Sequence, residues 1–372
     1  MRRRANRDLF SGRCLFLTGA SGLLGTELLR LMDGAKVFAL VRREEQAQEL
    51  AARGFRPVLG DVSRERLGIS DRDYQDIVCS ATDVVHAAAD IRFDLTLAES
   101  RAVNLFGVQE MLELAFSCRR LEKFLHVSTV YVNGYRQGIF AETPVPRGQR
   151  FVNYYQQSKY EAEGLVLDAM RRIPAAIYRL SLVIADSVHG NVSQYNYFHH
   201  LLRWLPGSPL PVIPGDPDVL VDLVPNDWVA AALVHLFTNR FCAGSIRHLC
   251  AGPELSIPLS EAMDRICRVV ESHPSNSSGR RIGIPQLVSL GEYNRFLGNC
   301  PDREIAALAD LVGHHVRLLA IRQVHLNALT VGELMGSGVA PPDPRSCLEN
   351  TTRFCLDTQW GRMPPRTAAA AD

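Results

Sequence analysis

Tyr155 and Lys159 stand four residues apart, so a helix through them presents a phenol and an ammonium on one face, about one turn apart. That pair suits hydride chemistry at a carbonyl. As hydride reaches the carbon, the oxygen becomes an alkoxide and needs an ordered acid beside it. A free phenol, with a pKa of about 10, shuttles protons poorly near neutrality. A neighbouring ammonium is expected to lower that value by favouring the phenolate, and to bond a cofactor ribose. Thr129 lies 26 residues earlier, at the end of an apolar run, and offers a hydroxyl to the same oxygen, with Ser128 as the adjacent alternative. Tyr154 and Tyr160 read as packing or surface residues, because the spacing to Lys159 selects Tyr155. Lysine is scarce here: only Lys36, Lys123 and Lys159 occur, against 38 arginines.

Hydride needs a donor, and a cradle for one stands near the start. Leu15-Phe16-Leu17-Thr18 reads as a strand buried on both faces, followed by Gly19, Gly22 and Gly25 at three-residue spacing. Gly19 permits a tight turn. Gly22, between Ser21 and Leu23, lets backbone N–H groups approach a pyrophosphate at the positive end of a helix, and Gly25 lets that helix sit close to the sheet. A second buried strand, 36–41, ends in Arg42-Arg43. An acidic residue at this tip would accept from the ribose hydroxyl, whereas Arg42 attracts a 2′-phosphate, so NADPH is expected over NADH. Asp61 and Val62 close a third strand over 55–62. By its chemistry alone Asp61 could be a helix cap for the charged stretch that follows. Ala87 and Ala88, at the tip of a fourth strand over 82–90, are small enough for a cofactor to pass closely or for tight packing.

These residues need an alternating scaffold. A helix is expected over 96–118, a fifth strand over 123–131, the Tyr155 helix from 153 and a sixth strand over 175–182. Strands alternating with helices, without repeats, predict an α/β fold: a Rossmann-type doubly wound parallel sheet covered on both faces. The expected division is a loose arm over 1–12, an NADP-binding domain over 13–240 and a smaller substrate cap over 241–363. Gly, Pro, Asn and aromatic residues over about 186–222 read as substrate loops interleaved with the cap, and 364–372 as a disordered tail.

From about Cys14 to Leu236 the chain resembles the extended short-chain dehydrogenase/reductases. Within them it is similar to the male-sterility or thioester-reductase branch, which includes fatty acyl-CoA reductases and terminal reductase domains of peptide and polyketide synthases. The narrower likeness is carried by Val85-His86-Ala87-Ala88-Ala89-Asp90-Ile91-Arg92-Phe93-Asp94, Asn104-Leu105-Phe106-Gly107, His126-Val127-Ser128-Thr129, Ile177-Tyr178-Arg179-Leu180-Ser181 and Val221-Asp222-Leu223-Val224-Pro225. The resemblance implies a Thr129/Tyr155/Lys159 set with NADPH, with Asp61 beside the adenine ring. It also implies hydride delivery to an acyl thioester, whose hemithioacetal expels thiol to leave an aldehyde, sometimes reduced again to an alcohol. Many relatives carry Pro where Leu180 or Ser181 stands and are fused to adenylation and carrier domains. This chain is therefore expected to meet a small-molecule or carrier-bound substrate, a coenzyme A thioester or an acyl carrier protein, from outside. Dimers through the helices after the fourth and fifth strands are common in such folds. The competing reading keeps fold and residues but acts as a dehydrogenase, epimerase or dehydratase on a sugar nucleotide, sterol or other secondary metabolite.

A formal charge of +1 gives no reason to expect nucleic acid or an anionic membrane as partner. No run of 18 apolar residues spans a bilayer, and the Arg-rich start is followed by the glycine turn rather than an export segment, so a cytoplasmic enzyme is expected. Nine scattered cysteines, never C-x-x-C, read as reduced thiols. His199-His200 and His314-His315 are adjacent pairs without metal-ligand spacing, so no metal is expected. Tyr195, Tyr197 and Phe198 are divided evenly between pocket lining and packing, and Arg92 with Asp94 reads as a surface ion pair.

Overall fold

The computed structural model describes residues 10–32, 34–276 and 282–363. Seven parallel strands form the central sheet: β1 (Cys14–Thr18), β2 (Lys36–Val41), β3 (Arg56–Leu59), β4 (Asp83–His86), β5 (Lys123–Thr129), β6 (Ala175–Leu180) and β7 (Ile246–Leu249). Their order across the sheet is β7-β6-β5-β4-β1-β2-β3, a doubly wound Rossmann-type arrangement. The inner strands are apolar throughout because helices cover both faces. One face packs Leu15, Leu17, Val85 and Leu125 against α1 (Leu23–Leu31) and the apolar helix Asn226–Asn239. The other packs Phe16, Val84, Phe124 and Ile177 against Met111, Ala162 and Val166 of the intervening helices.

Three elements differ from the sequence reading. The stretch over 96–118 is two helices, α2 (Leu97–Asn104) and α3 (Phe106–Ser117), broken at Leu105. The break lets α3 approach the loop after β3, where a Cβ on Gly107 would lie 3.1 Å from a Val62 methyl. Strand β3 stops at Leu59, because Asp61 turns back and its N–H donates to the Leu67 carbonyl at 2.7 Å. The seventh strand lies beyond residue 240, inside the stretch assigned to the cap. Arg247 and His248 interrupt its apolar pattern, since both side chains find polar partners, Glu333 and the Leu326 carbonyl.

Outside the sheet, residues from 182 onward gather a second core around Ile184, Phe198, Leu223, Ile257, Ile266 and Leu348. This region is tied back to the sheet. Gln323–His325 pairs in parallel with Gly138–Phe140, and Glu142 accepts from the His248, Leu329 and Thr330 N–H groups. Of the expected arm, residues 10–12 form a turn with Phe10 buried, while 1–9 and the whole 364–372 tail lie outside the described residues. Among the described residues no helix is long and apolar enough to cross a membrane.

Candidate functional site

The helix α4 (Tyr154–Ala169) begins at Asn153, whose side-chain oxygen accepts from the Gln156 N–H at 3.0 Å. This cap fixes the first turn, and with it Tyr155. Tyr154 points outward and is 47% exposed, which separates the two tyrosines as the spacing did. Strand β5 delivers Thr129 to the same place. Its hydroxyl interacts with the Tyr155 phenol and also accepts from the Tyr131 N–H at 3.2 Å. Ser128, one residue earlier, is buried, and its oxygen has no hydrogen-bond partner among the described residues.

Lys159 is buried, and its ammonium donates to the Val127 carbonyl at 2.9 Å and faces His126 Nε2 at 3.2 Å. Burial pulls its pKa down to about 8, against the pull of Glu163 in the other direction. The expectation that it lowers the Tyr155 pKa is corrected here. Desolvation pushes the phenol up to about 12, and Thr129, not the ammonium, works against that rise. The reason is direction: the Lys159 N–H groups turn down onto β5 rather than across to the phenol.

A wall of rings stands over Tyr155. Phe93 stacks on it at 5.7 Å between centroids, and on its other sides meets Tyr197 at 4.6 Å and His315 at 5.5 Å. The Tyr131 and Tyr197 hydroxyls share a hydrogen bond of 3.0 Å. Of the aromatic trio over 195–198, only Tyr197 joins this wall. Tyr195 bonds Thr358 at 3.2 Å, and Phe198 is core. The tip of β4 that carries Phe93 is held by Asn104, whose amide bonds both the N–H and the carbonyl of Asp90. Arg92 pairs with Asp90 rather than Asp94.

The glycine turn lies at the tip of β1. A Cβ on Gly19 would sit 2.7 Å from the Ala87 carbonyl, and one on Gly25 would collide with the Gly19 carbonyl oxygen. Gly19 also has φ +75°, which glycine adopts freely. Ala87 and Ala88 therefore press directly on the turn, and Thr18 accepts from the Ala88 N–H at 3.2 Å. Ser21 is exposed at the turn. The Leu23 N–H, at the start of α1, donates to the Gln194 side chain at 3.2 Å.

Arg42, Asp61, Gly60 and Leu59 line a cavity of about 330 Å³, together with Glu44, Arg64 and Gly68. Asp61 spends one oxygen on the Ser63 N–H and hydroxyl, at 2.9 and 2.7 Å. Val62 is buried behind it. A turn closed to side chains, a helix start beside it and a cation-bearing cavity at the second strand tip fit the two phosphates and adenosine end of a dinucleotide. Among the described residues no group of three His, Cys, Asp or Glu side chains is arranged to hold a metal.

Sequence reasoning missed His86, His126, Phe93, Tyr131, His315, Arg64 and Gln194. Each acquires its place through contacts across long stretches of chain, and none has a spacing signal of its own.

The family described as "Male sterility protein" matches residues 17–233. A linear gramicidin synthase of Brevibacillus parabrevis is 28% identical over 260 residues, covering 63% of this chain and 5% of that protein. Fatty acyl-CoA reductase 2 of Mus musculus is 28% identical over 150 residues, 33% of this chain and 29% of that protein. The chain thus spans less than a third of the length of either relative. Among solved structures, the terminal R domain from the myxalamid PKS-NRPS biosynthetic pathway superposes with a TM-score of 0.74 at 25% identity, covering 95% of this chain and 92% of that one.

Proposed function

Because the chain belongs to the male sterility protein family, we propose that it is a nicotinamide-dependent reductase of acyl thioesters, yielding an aldehyde and, by a second round, an alcohol. The observation that carries this reading is the meeting of the Thr129 and Tyr155 hydroxyls, with Lys159 one turn along the same helix, beside the dinucleotide cradle. The cofactor's reduced ring, when bound, supplies the hydride. Gly19, Ser21, Gly22, Leu23 and Gly25 would hold its phosphates, with Ala87 and Ala88 beneath and Asp61 and Val62 at the adenine end. Arg42, with Arg64 across the same cavity, would pair with a 2′-phosphate, which makes NADPH the preferred form.

Thr129 and Tyr155 act on the substrate's carbonyl oxygen. Both hydroxyls donate to it, polarising the carbon and concentrating developing charge where two dipoles already point. Tyr155 gives its proton as the oxygen becomes an alkoxide. A phenol held neutral by burial is in the donating form throughout the physiological range, and this suits an acid better than a base. Lys159, cationic below about pH 8, would bond the cofactor ribose. Phe93, Tyr197 and Tyr131 wall off this point from water. The resulting hemithioacetal expels thiol from coenzyme A or a carrier protein, the partner suggested by the carrier-linked relatives.

The test is to incubate the protein with an acyl-coenzyme A and NADPH while following absorbance loss together with thiol release. One oxidised cofactor per thiol is expected if reduction stops at the aldehyde, and two per thiol if it runs on to the alcohol. Reduction of free aldehydes with no thiol released from any acyl thioester would overturn the reading in favour of a hydroxyl dehydrogenase, epimerase or dehydratase.

A further inference from the structure

We propose that His126 is a positioning residue for Lys159, acting from a buried column of side chains that reaches back to the strand opening the glycine turn. The inference rests on Lys159 belonging to the machinery set out above.

The column follows from sheet register. Thr18 of β1 is the direct neighbour of His86 on β4, and His86 is the direct neighbour of His126 on β5. Register neighbours on parallel strands project to the same face, so the three side chains stand in a row. Thr18 Oγ1 lies 2.8 Å from His86 Nδ1 and also accepts the Ala88 N–H. The His86 and His126 rings stack at 5.5 Å and 24°. His126 Nε2 then meets the Lys159 ammonium at 3.2 Å. All four residues are at most 2% exposed.

An ammonium carries three hydrogens and accepts none, so it can bond only the bare ring nitrogen, which places the His126 proton on Nδ1. One Lys159 hydrogen goes to the Val127 carbonyl and one to His126, so two of the three are held on β5. Without the imidazole, a four-carbon stem with a single backbone acceptor has freedom to swing. With it, the nitrogen is fixed between two acceptors on one strand. The Thr18–His86 pair behind prevents the ring from withdrawing.

The charged and titratable groups facing Lys159 are His126 from β5, His86 from β4, and Tyr155 and Glu163 on its own helix, Glu163 being paired to Arg179 of β6. Both imidazoles are held neutral by burial and by the lysine itself, so neither titrates in the range where Lys159 does. His126 thus acts as an uncharged acceptor that favours the charged amine. Its removal is expected to move the lysine titration to lower pH.

The chain has only three lysines, so protein labelled with ¹³C at lysine Cε gives three resonances, with Lys159→Met assigning one. In the protein without cofactor, His126→Leu is expected to lower the Lys159 midpoint by about one pH unit, the scale of one hydrogen bond to a charged group. His126→Gln, whose amide oxygen can extend toward the position of Nε2, is expected to return it to within about 0.3 unit. The alkaline limb of the turnover profile should move in parallel. His126→Asn keeps a polar side chain but falls short of the lysine, so it is expected to behave as His126→Leu and serves if the leucine variant does not fold. A midpoint unchanged in folded His126→Leu or His126→Asn, or not restored by His126→Gln, overturns the proposal. The NMR titration needs no substrate, so a failed thiol-release assay beside a shifted midpoint would sink the reductase reading alone.

Discussion

Arg179 forks onto Glu163, Nε to Oε1 at 2.9 Å and Nη2 to Oε2 at 2.7 Å, and neither side chain is more than 3% exposed. Glu163 is four residues beyond Lys159 and eight beyond Tyr155, so the fork grips the face of α4 that carries the proposed chemistry, two turns below the phenol. Arg179→Met strands a buried carboxylate and is expected to cost about 3–5 kcal/mol in urea unfolding. Adding Glu163→Leu removes the stranded charge and should recover most of that loss. A single variant within about 1 kcal/mol of the parent would show that the fork does not hold the helix.

Tyr155→Phe keeps the stack on Phe93 while deleting the acid. Turnover should fall by about 10²–10⁴-fold, the range of a lost general acid, with the NADPH dissociation constant changed less than about threefold. Fluorescence titration of cofactor beside steady-state rates checks this, and preserved turnover refutes the assignment.

Arg42 lies on the wall of the 330 Å³ cavity. Arg42→Ala should weaken NADPH by about 10–100-fold, the worth of a hydrogen bond to a charged group, and leave NADH nearly unchanged. Equal losses for the two dinucleotides, measured by calorimetry, would contradict a role on the 2′-phosphate. Arg64→Ala should show the same selectivity, because both guanidinium groups line one cavity.

The pH dependence has a worked sign. Lys159 has its folded pKa lowered to about 8, whereas an unfolded lysine titrates near about 10.4. Between these values the unfolded chain binds more protons, so this group makes stability rise with pH across about 8–10.4. Tyr155 and Tyr178, both desolvated by the fold, have raised folded values and oppose the rise above about pH 10. Subtracting the unfolding profile of Lys159→Met isolates the lysine contribution, and a flat difference across that window would contradict its low folded pKa. Activity carries the other consequence: turnover should decline through about pH 8 as the ammonium is lost.

The turn, the Tyr155–Lys159 pair and six of seven strands were legible because their signals are local: glycine spacing, an i,i+4 pair and apolar runs. The direction of the Lys159 amine was not. A histidine inside an apolar strand looks the same whether it packs or accepts, and only register with His86 and Thr18 distinguishes the two. Of the aromatic wall only Tyr197 was offered as pocket lining, since Phe93 and His315 come from two other stretches. Strand β7 escaped because Arg247 and His248 fill half of its four residues, leaving no apolar run to read as a strand. Its arginine pairs with Glu333, far along the chain. Burial of the phenol had no sequence signal at all, so the expected sign of its titration was reversed.

The late arrival of β7 has a bearing on how the molecule can be divided. Ending the polypeptide near residue 240, where the local signals close the cofactor half, strips β6 of its neighbour and bares a row of backbone donors and acceptors from Ala175 to Leu180. A bare apolar margin of that kind invites another molecule to add on, and self-association of the shortened product, rather than a smaller working enzyme, is the expected result.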